Sequence, residues 1–177
     1  IIISLSLFIM DKNQAILEII NRKGPVLPVQ VSKEIKDSIL MASARLSELL
    51  SSKKIKISAL KVGGSPLYYL PGQEERLRSF ADNLGSMERK AYDLLEQNKA
   101  LSDNAMEPAI RVALRQIKDF AVQLQVSYQE KTEIFYTSRG RIKQNVLEDI
   151  GYSPGPKTSI YRYDHLKFTL ITDRQLK

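Results

Sequence analysis

The sequence predicts an α+β protein in which two small units each place helices before a β-hairpin, followed by a basic C-terminal extension. Three observations predict this class. Apolar residues recur at helical spacing up to about residue 50, the spacing changes to a period of two after Lys53-Lys54, and a similar succession begins about 70 residues later. The chain of 177 residues is long enough for two small domains.

The first unit begins with three predicted helices. The first is capped by Asp11 and stopped by Gly24, the second begins at Pro28, and the third follows the capping pair Asp37-Ser38. Each helix carries one apolar face, as expected of a helix that packs on a core. In the third helix the predicted inward residues are Ile39, Ala42, Leu46, Leu49 and Leu50.

A β-hairpin is predicted after the third helix. Ile55 and Ile57 alternate with polar residues, which is typical of a half-buried strand, and Gly63-Gly64 opens a turn into a second strand. In that second strand, alternation predicts that one of Tyr68 and Tyr69 points into the core, and both are interpreted as core or rim residues. Stacking on an unpaired base is the alternative.

Three helices followed by a two-stranded hairpin is the element order of the winged helix-turn-helix superfamily, which residues 11–72 resemble. The stretch KVGGSPLYYLPGQEE, from Lys61 to Glu75, is similar to wing segments of archaeal winged-helix proteins. The resemblance implies a nucleic-acid-binding module whose third helix enters the major groove of DNA.

The rest of the chain divides into three predicted segments. Residues 73–85 form a connecting helix, and residues 86–137 repeat the order helix, link, helix and hairpin. The repeat predicts a second winged-helix-like domain; the alternative is an α+β extension that packs on the first domain. Residues 138–177 form the basic C-terminal extension, in which 160–173 alternates as a strand or hairpin. The predicted inward residues of the connecting helix are Leu77, Phe80 and Leu84.

The second domain has its own boundary signals. Ser86 can cap its first helix, and Glu107-Pro108 opens its second helix. A turn at 130–132 then joins the two strands of its hairpin.

Composition excludes several functional classes. The chain has no cysteine and one histidine, His165, so a disulfide, a cysteine zinc site and a Ser-His triad are not expected. It also lacks the motifs GxxxxGK[ST], HExxH and GxGxxG. We therefore expect no enzyme activity, no metal and no cofactor, and the absence of cysteine suits a cytoplasmic protein.

The first ten residues, IIISLSLFIM, are apolar but fall short of the roughly 20 that span a bilayer. They also lack the basic flank and cleavage site of a signal peptide, so Met10 is the expected natural start and 1–10 an upstream segment. We expect no membrane partner; a membrane anchor is the alternative interpretation.

The net charge of +7 is distributed unevenly along the chain. Residues 11–72 hold ten Lys and Arg against five Asp and Glu (+5), residues 73–136 nine against eleven (−2), and residues 137–177 eight against four (+4). Two basic regions around an acidic one suggest two surfaces for a polyanion. The expected partner is a nucleic acid, DNA by default and rRNA as the alternative.

The candidate nucleic-acid contacts are basic or hydroxyl side chains. The basic side chains bind phosphates and do not distinguish one base sequence from another. Two alternatives stay open: the hairpin lysines protect a strand edge, and the helical stripe 111–118 pairs with acidic residues of 88–96. The candidates in the first domain are Arg45, Ser47, Lys53, Lys54, Lys56 and Lys61. The candidates in the rest of the chain are Arg111, Arg115, Lys118, Arg139, Arg141 and Lys143.

The outward face of the third helix is poor in groups that recognise bases. Glu48 would be repelled by phosphates, and the apolar residues on this face offer no hydrogen bonds. The apolar trio Leu40, Met41 and Ala44 is therefore a candidate contact for a ribosomal or other protein. The helices of 73–98 could hold a homodimer. The outward residues are Leu40, Met41, Ala44, Ser47, Glu48 and Ser51.

The leading functional hypothesis is a DNA-binding transcriptional regulator that docks through its hairpin lysines and basic C-terminal extension. The first alternative is a ribosome- or RNA-associated factor whose winged helices contact rRNA and ribosomal proteins. The second is a protein-binding adaptor without nucleic acid.

Overall fold

The computed structural model describes residues 12–128, 131–139 and 166–170. These residues form a mixed structure of helices and two antiparallel sheets, as the α+β class predicts. The chain divides into two compact units, and the boundary falls between Asn83 and Leu84. The predicted cap Asp11 and the predicted start Met10 lie outside the described residues.

The first unit contains three α-helices, a hairpin and a 3₁₀ helix. The predicted boundaries are confirmed at Gly24, whose φ of 87° follows the last residue of α1, and at Pro28, the first residue of α2. At the start of α3, Ser38 Oγ accepts a hydrogen bond from the Met41 N–H at 3.2 Å. The elements are α1 (Lys12–Lys23), α2 (Pro28–Glu34), α3 (Ile39–Ser51), β1 (Lys56–Val62), β2 (Ser65–Tyr69) and the 3₁₀ helix Glu74–Asn83.

The hairpin turns through Gly63 and Gly64, whose φ angles are 57° and 82°. Two consecutive positive φ angles are those of a primed two-residue turn, which matches the twist of the flanking strands. On the other edge of β2, Val26 and Tyr68 each donate a backbone hydrogen bond to the other at 2.9 Å. β2 therefore lies between β1 and Val26.

The core of the first unit is formed by side chains from the three helices and the hairpin region. On α3, the predicted inward residues Ala42, Leu46 and Leu49 are buried, and Leu50 is half-buried. The prediction is wrong for Ile39, which is 54% exposed because it lies in the first turn of α3, before the part that contacts the core. The buried cluster includes Ile16, Ile20, Val31, Ala42, Leu46, Leu49, Ile55 and Tyr68.

The alternation predicted for the first hairpin strand is interrupted. Ile57 is 41% exposed, whereas Ser58 and Leu60 are buried. The cause is an irregular register between Ile57 and Lys61. Ser58 Oγ donates to the Leu60 carbonyl at 2.6 Å and accepts from the Leu67 N–H at 3.0 Å. A side chain thus replaces a backbone partner in the ladder, and the inward position implied for Ile57 is wrong.

Both tyrosines of β2 are buried, with Tyr68 7% and Tyr69 6% exposed. The preceding Leu67 is buried as well, so consecutive side chains on opposite faces of the strand are all covered. The interpretation of these tyrosines as core or rim residues is therefore confirmed, and neither ring is exposed for stacking on a base.

The segment predicted as a connecting helix is a 3₁₀ helix that packs on the first unit. Its inward side chains are Leu77 and Ala81, which are both buried. Just before it, Gln73 Nε2 donates to the Ile20 carbonyl at 3.1 Å. The other two residues predicted to point inward are only half-buried: Phe80 and Leu84.

The second unit contains two α-helices, a short 3₁₀ turn and, among the described residues, four strands in the order β3-β5-β4-β6. The predicted helices and the two hairpin strands are confirmed, but Lys131 and Thr132, which were predicted in the turn, lie in β5. β6 lies within the predicted 160–173 strand region. The prediction did not include β3 or the 3₁₀ turn, and the first helix is capped by Gly85 instead of Ser86. The elements are α4 (Ser86–Asn98), β3 (Ala100–Ser102), the 3₁₀ turn Asp103–Ala105, α5 (Pro108–Gln116), β4 (Ala121–Tyr128), β5 (Lys131–Ser138) and β6 (Leu166–Leu170).

The two units share one strand arrangement. In each, a short extended segment follows the first helix and pairs with the second strand of the later hairpin. In the first unit this segment is Val26, which pairs with β2, and in the second unit it is β3, which pairs with β5. The opposite edge of the second hairpin strand pairs with the first hairpin strand, which is β1 in the first unit and β4 in the second unit.

Candidate nucleic-acid interface

The outward face of α3 is exposed as predicted. Leu40 is 78% and Met41 45% exposed, and with Ile39 they form three consecutive apolar residues at the start of the helix. This part of the face offers contact surface but no hydrogen bonds to bases. The exposed residues of the predicted outward face are Leu40, Met41, Ala44, Ser47, Glu48 and Ser51.

The polar groups on α3 already have partners within the protein. Ser47 Oγ donates to the Ser43 carbonyl at 2.9 Å, and Ser51 Oγ donates to the Ser47 carbonyl at 2.9 Å. Asn13 Nδ2 of α1 donates to Glu48 Oε2 at 3.3 Å. The serines retain only their acceptor lone pairs for a base, so α3 is poorly equipped for base recognition.

Arg45 is directed toward an acidic residue of its own unit. Its Nε lies 3.8 Å from Asp37 Oδ2, and its side chain is 26% exposed. Lys12 Nζ donates to the same Asp37 oxygen at 2.8 Å, and this contact is the main reason that the pKa of Asp37 lies below its ordinary value. The geometry favours a structural role for Arg45 at the start of α3.

The exposed lysines collect at the end of α3 and along the hairpin. Lys53 and Lys54 follow the last turn of α3, where their N–H groups donate to Leu50 and Leu49 carbonyls at 2.9 and 3.0 Å. Lys61 lies two residues before the glycine turn. Among the described residues, no carboxylate lies within 4.0 Å of the ammonium groups of Lys53, Lys54 and Lys61.

Lys56 differs from the other hairpin lysines because it is paired. Its Nζ donates to Glu74 Oε1 at 2.5 Å and links β1 to the 3₁₀ helix. Burial acts to raise the pKa of Glu74, but the contact with Lys56 and the backbone hydrogen bonds to the carboxylate together outweigh burial, so the pKa lies below its ordinary value. Lys56 therefore serves the fold of the first unit, and a phosphate would have to compete with Glu74 for it.

A polar cluster in the second unit holds two of the predicted arginines. Asp103, which is 3% exposed, accepts from Arg111 Nη2 through Oδ2 and from Arg115 Nη2 through Oδ1 at 3.1 Å. Tyr136 OH of β5 donates to the same Oδ1 at 3.3 Å and accepts from Arg115 Nε at 3.2 Å. Three elements of the unit, the 3₁₀ turn, α5 and β5, therefore meet at one carboxylate.

The pKa directions in this cluster follow from its geometry. Burial acts to raise the pKa of the Asp103 carboxyl, but hydrogen bonds and attraction from the arginines outweigh it, so the pKa lies below its ordinary value. The hydrogen bond to Tyr136 is the main cause of the raised pKa of Arg115, and burial is the main cause of the raised pKa of Tyr136. The Asp103 carboxyl is consequently ionised at neutral pH.

For the two arginines of the stripe 111–118, the described carboxylate partner is not an acidic residue of α4. Asp93 pairs with Arg89 at 2.9 Å, Glu88 Oε2 accepts from the Gly85 N–H at 3.0 Å, and Glu96 accepts from Ser138 at 2.7 Å. The arginines pair with Asp103, which the sequence analysis did not single out. An acidic residue that follows a short apolar strand, with arginines eight and twelve positions later, was the signal available.

The remaining predicted contacts lie near the end of the hairpin. Lys118 is exposed, and its carbonyl accepts from Arg139 Nη2 at 2.5 Å. The Arg139 N–H donates to the Phe120 carbonyl at 2.8 Å, which ties the end of β5 to the start of β4. The other two members of the predicted basic arm, Arg141 and Lys143, lie outside the described residues.

No protein-family model matches this chain, and neither curated proteins nor solved structures give a match. Within the described residues, no group of three or more His, Cys, Asp or Glu side chains could hold a metal ion. No helix of the described residues has the length and apolar character needed to cross a membrane.

Proposed function

We propose that this protein is a nucleic-acid-binding winged-helix protein whose first unit binds duplex DNA through phosphate contacts. Support comes from the element order α1, Val26, α2, α3, β1 and β2, in which Val26 pairs with β2. A short turn joins α2 to α3, as in a helix-turn-helix. The strand arrangement of the second unit supports a second winged-helix-like domain.

The proposal rests on three exposed lysines, at the end of α3 and in β1, that have no carboxylate partner among the described residues: Lys53, Lys54 and Lys61. We refer to these three residues as the hairpin lysines. When the third helix enters the major groove, basic groups that flank this helix can reach the phosphates on either side of the groove. Lysine ammonium groups bind phosphates as point charges, and the release of counterions from DNA makes such binding strongly salt-dependent.

The shortage of base-reading groups on α3 supports binding with little sequence preference. A transcriptional regulator typically separates its operator from other DNA by about 4 kcal/mol or more. Such discrimination requires several paired side chains on base edges, each worth roughly 1–3 kcal/mol. We therefore propose that the protein binds many duplex sequences with similar affinity, and that any regulatory role takes its selectivity from another source.

The proposal is tested by fluorescence anisotropy with a labelled mixed-sequence duplex over a range of salt concentrations. Each of Lys53→Gln, Lys54→Gln and Lys61→Gln should lower the slope of log affinity against log salt by about 0.9, the value for one phosphate contact. Lys90→Gln is the matched control, because Lys90 is an exposed lysine of α4 outside the proposed interface. Equal slopes for the hairpin variants and this control would contradict the proposal.

A second candidate function is a ribosome- or RNA-associated factor, and the exposed apolar residues of α3 favour it. Leu40 and Met41 would contact a protein component while the hairpin lysines contact rRNA. Sedimentation of the native protein from a lysate through a sucrose gradient separates the two candidates. Migration with ribosomal particles that survives DNase and is lost in Met41→Asp would replace the DNA proposal with this one.

A further inference from the structure

The cluster around Asp103 carries more positive charge than the neutralisation of its carboxylate requires. One guanidinium would balance the single negative charge, yet Arg111 and Arg115 both lie against it. Their side chains remain 35% and 47% exposed, respectively, whereas that of Asp103 is 4% exposed. The excess positive charge is therefore presented at the surface of the second unit while its counter-charge is buried.

Arg115 is held in one direction by two contacts of different kinds. Its Nε donates to Tyr136 OH, and its Nη2 donates to Asp103 Oδ1. Neither contact uses the Nη1 amino group, so donors remain for an acceptor from outside. An arginine that is already ordered loses less conformational freedom on binding, and its planar donor group fits the oxygens of a phosphate.

We propose that Arg115, oriented by Asp103 and Tyr136, binds a phosphate of the nucleic-acid backbone, so that the second unit makes its own contact with the duplex. The inference rests on the proposed function and adds a second contact to it. Asp103 and Tyr136 are positioning residues, because they touch the guanidinium and not the phosphate. Arg111 shares the carboxylate and contributes the second positive charge.

The test uses the full chain and a fluorescein-labelled mixed-sequence duplex of about 20 base pairs, roughly two helical turns. Arg115→Gln should lower the slope of log affinity against log salt by about 0.9, since one phosphate contact is lost. Arg89→Gln is the matched control: it makes the same charge change on α4, where Arg89 pairs with Asp93. Its slope should equal that of the unaltered protein.

The positioning role is tested by Tyr136→Phe, which removes the hydroxyl and keeps the ring and the net charge. We expect the affinity to fall about threefold, because a less ordered Arg115 loses more conformational freedom when it binds, while the salt slope stays the same. Arg115→Lys gives a second measurement, because it keeps the charge and loses the contact with Tyr136. It should also weaken binding without changing the slope, and thermal unfolding confirms that each variant is folded.

Equal slopes for Arg115→Gln and Arg89→Gln, with unchanged affinity for Arg115→Lys, would overturn the inference. If the hairpin lysine variants still lower the slope in the same titrations, the proposed function stands without a contact from the second unit. Binding by the unaltered protein that does not change with salt would overturn both.

Discussion

Val26 and Tyr68 donate backbone hydrogen bonds to each other at 2.9 Å, although α2, α3 and β1 lie between them in the sequence. Val26 is also 1% exposed. The link between α1 and α2 is thus attached to the hairpin by both hydrogen bonds and packing. This attachment fixes where the lysine-bearing hairpin lies relative to the helices of the first unit.

Val26→Ala should lower the free energy of unfolding by roughly 2 kcal/mol, because it removes buried methyl groups and leaves a cavity beside β2. Urea unfolding followed by circular dichroism gives this value. Val112→Ala is the matched control, since Val112 on α5 is 51% exposed and its replacement should change stability by less than about 0.5 kcal/mol. Similar losses for the two variants would contradict a core role for Val26.

Ser58→Ala should destabilise the fold by about 2 kcal/mol, because the buried Leu67 N–H loses its acceptor and the Leu60 carbonyl loses a donor. Ser47→Ala is the control, since Ser47 is exposed and bonds only within its own helix. The same urea titration should show little change for it. An unchanged free energy of unfolding for Ser58→Ala would show that β1 and β2 pair equally well without the Ser58 hydroxyl.

Lys53 has a φ of 59°, a left-handed conformation that is costly for any residue with a Cβ. Lys53→Gly should therefore be about 1 kcal/mol more stable than Lys53→Ala. Both variants should lose the same amount of salt-dependent duplex binding, because both lack the ammonium group. Urea unfolding and anisotropy together test the pair. Equal stability of the two would mean that the left-handed conformation is relaxed in solution.

Asp103→Asn should lower the free energy of unfolding at pH 7 by about 2 kcal/mol, a value reduced by the partial exposure of both arginines. The pKa of Asp103 is lower in the folded chain than its ordinary value of 3.8. Its stabilisation is therefore complete above that ordinary value and is lost as the pH falls through the folded pKa.

The difference in stability between the unaltered protein and Asp103→Asn should accordingly shrink below about pH 4. Urea unfolding at a series of pH values measures it. Asp93→Asn is the control, because Asp93 pairs with Arg89 at an exposed site and should change stability by less than about 1 kcal/mol. A difference for Asp103→Asn that is the same at pH 3 and pH 7 would contradict the ionic role of its carboxylate.

The helix boundaries could be predicted because their signals are local. Ser38 caps α3 through a residue three positions away, and Gly24 ends α1 through its own φ. The exposed face of α3 followed from the helical period in the same way. In these cases the residues that decide the structure lie within one turn of one another in the sequence.

The features that sequence reasoning missed depend on distant parts of the chain. Tyr69 is buried because both faces of β2 are covered, and alternation within one strand does not reveal this. Lys56 differs from its neighbouring lysines only through its contact with Glu74, which lies 18 positions later in the sequence. Asp103 meets Tyr136 of β5 across 33 positions, so no local pattern connects them.

Gly63 and Gly64 end the hairpin in open space: a Cβ built on either would meet no atom of the described residues within 4 Å. Residues can therefore be added at this tip without disturbing the core, because surface-loop insertions cost little free energy when nothing packs against them. The length of the hairpin can therefore change with little effect on the free energy of unfolding of the first unit. A longer or differently charged tip would give this scaffold a new binding footprint, which makes it a natural position for engineering selectivity.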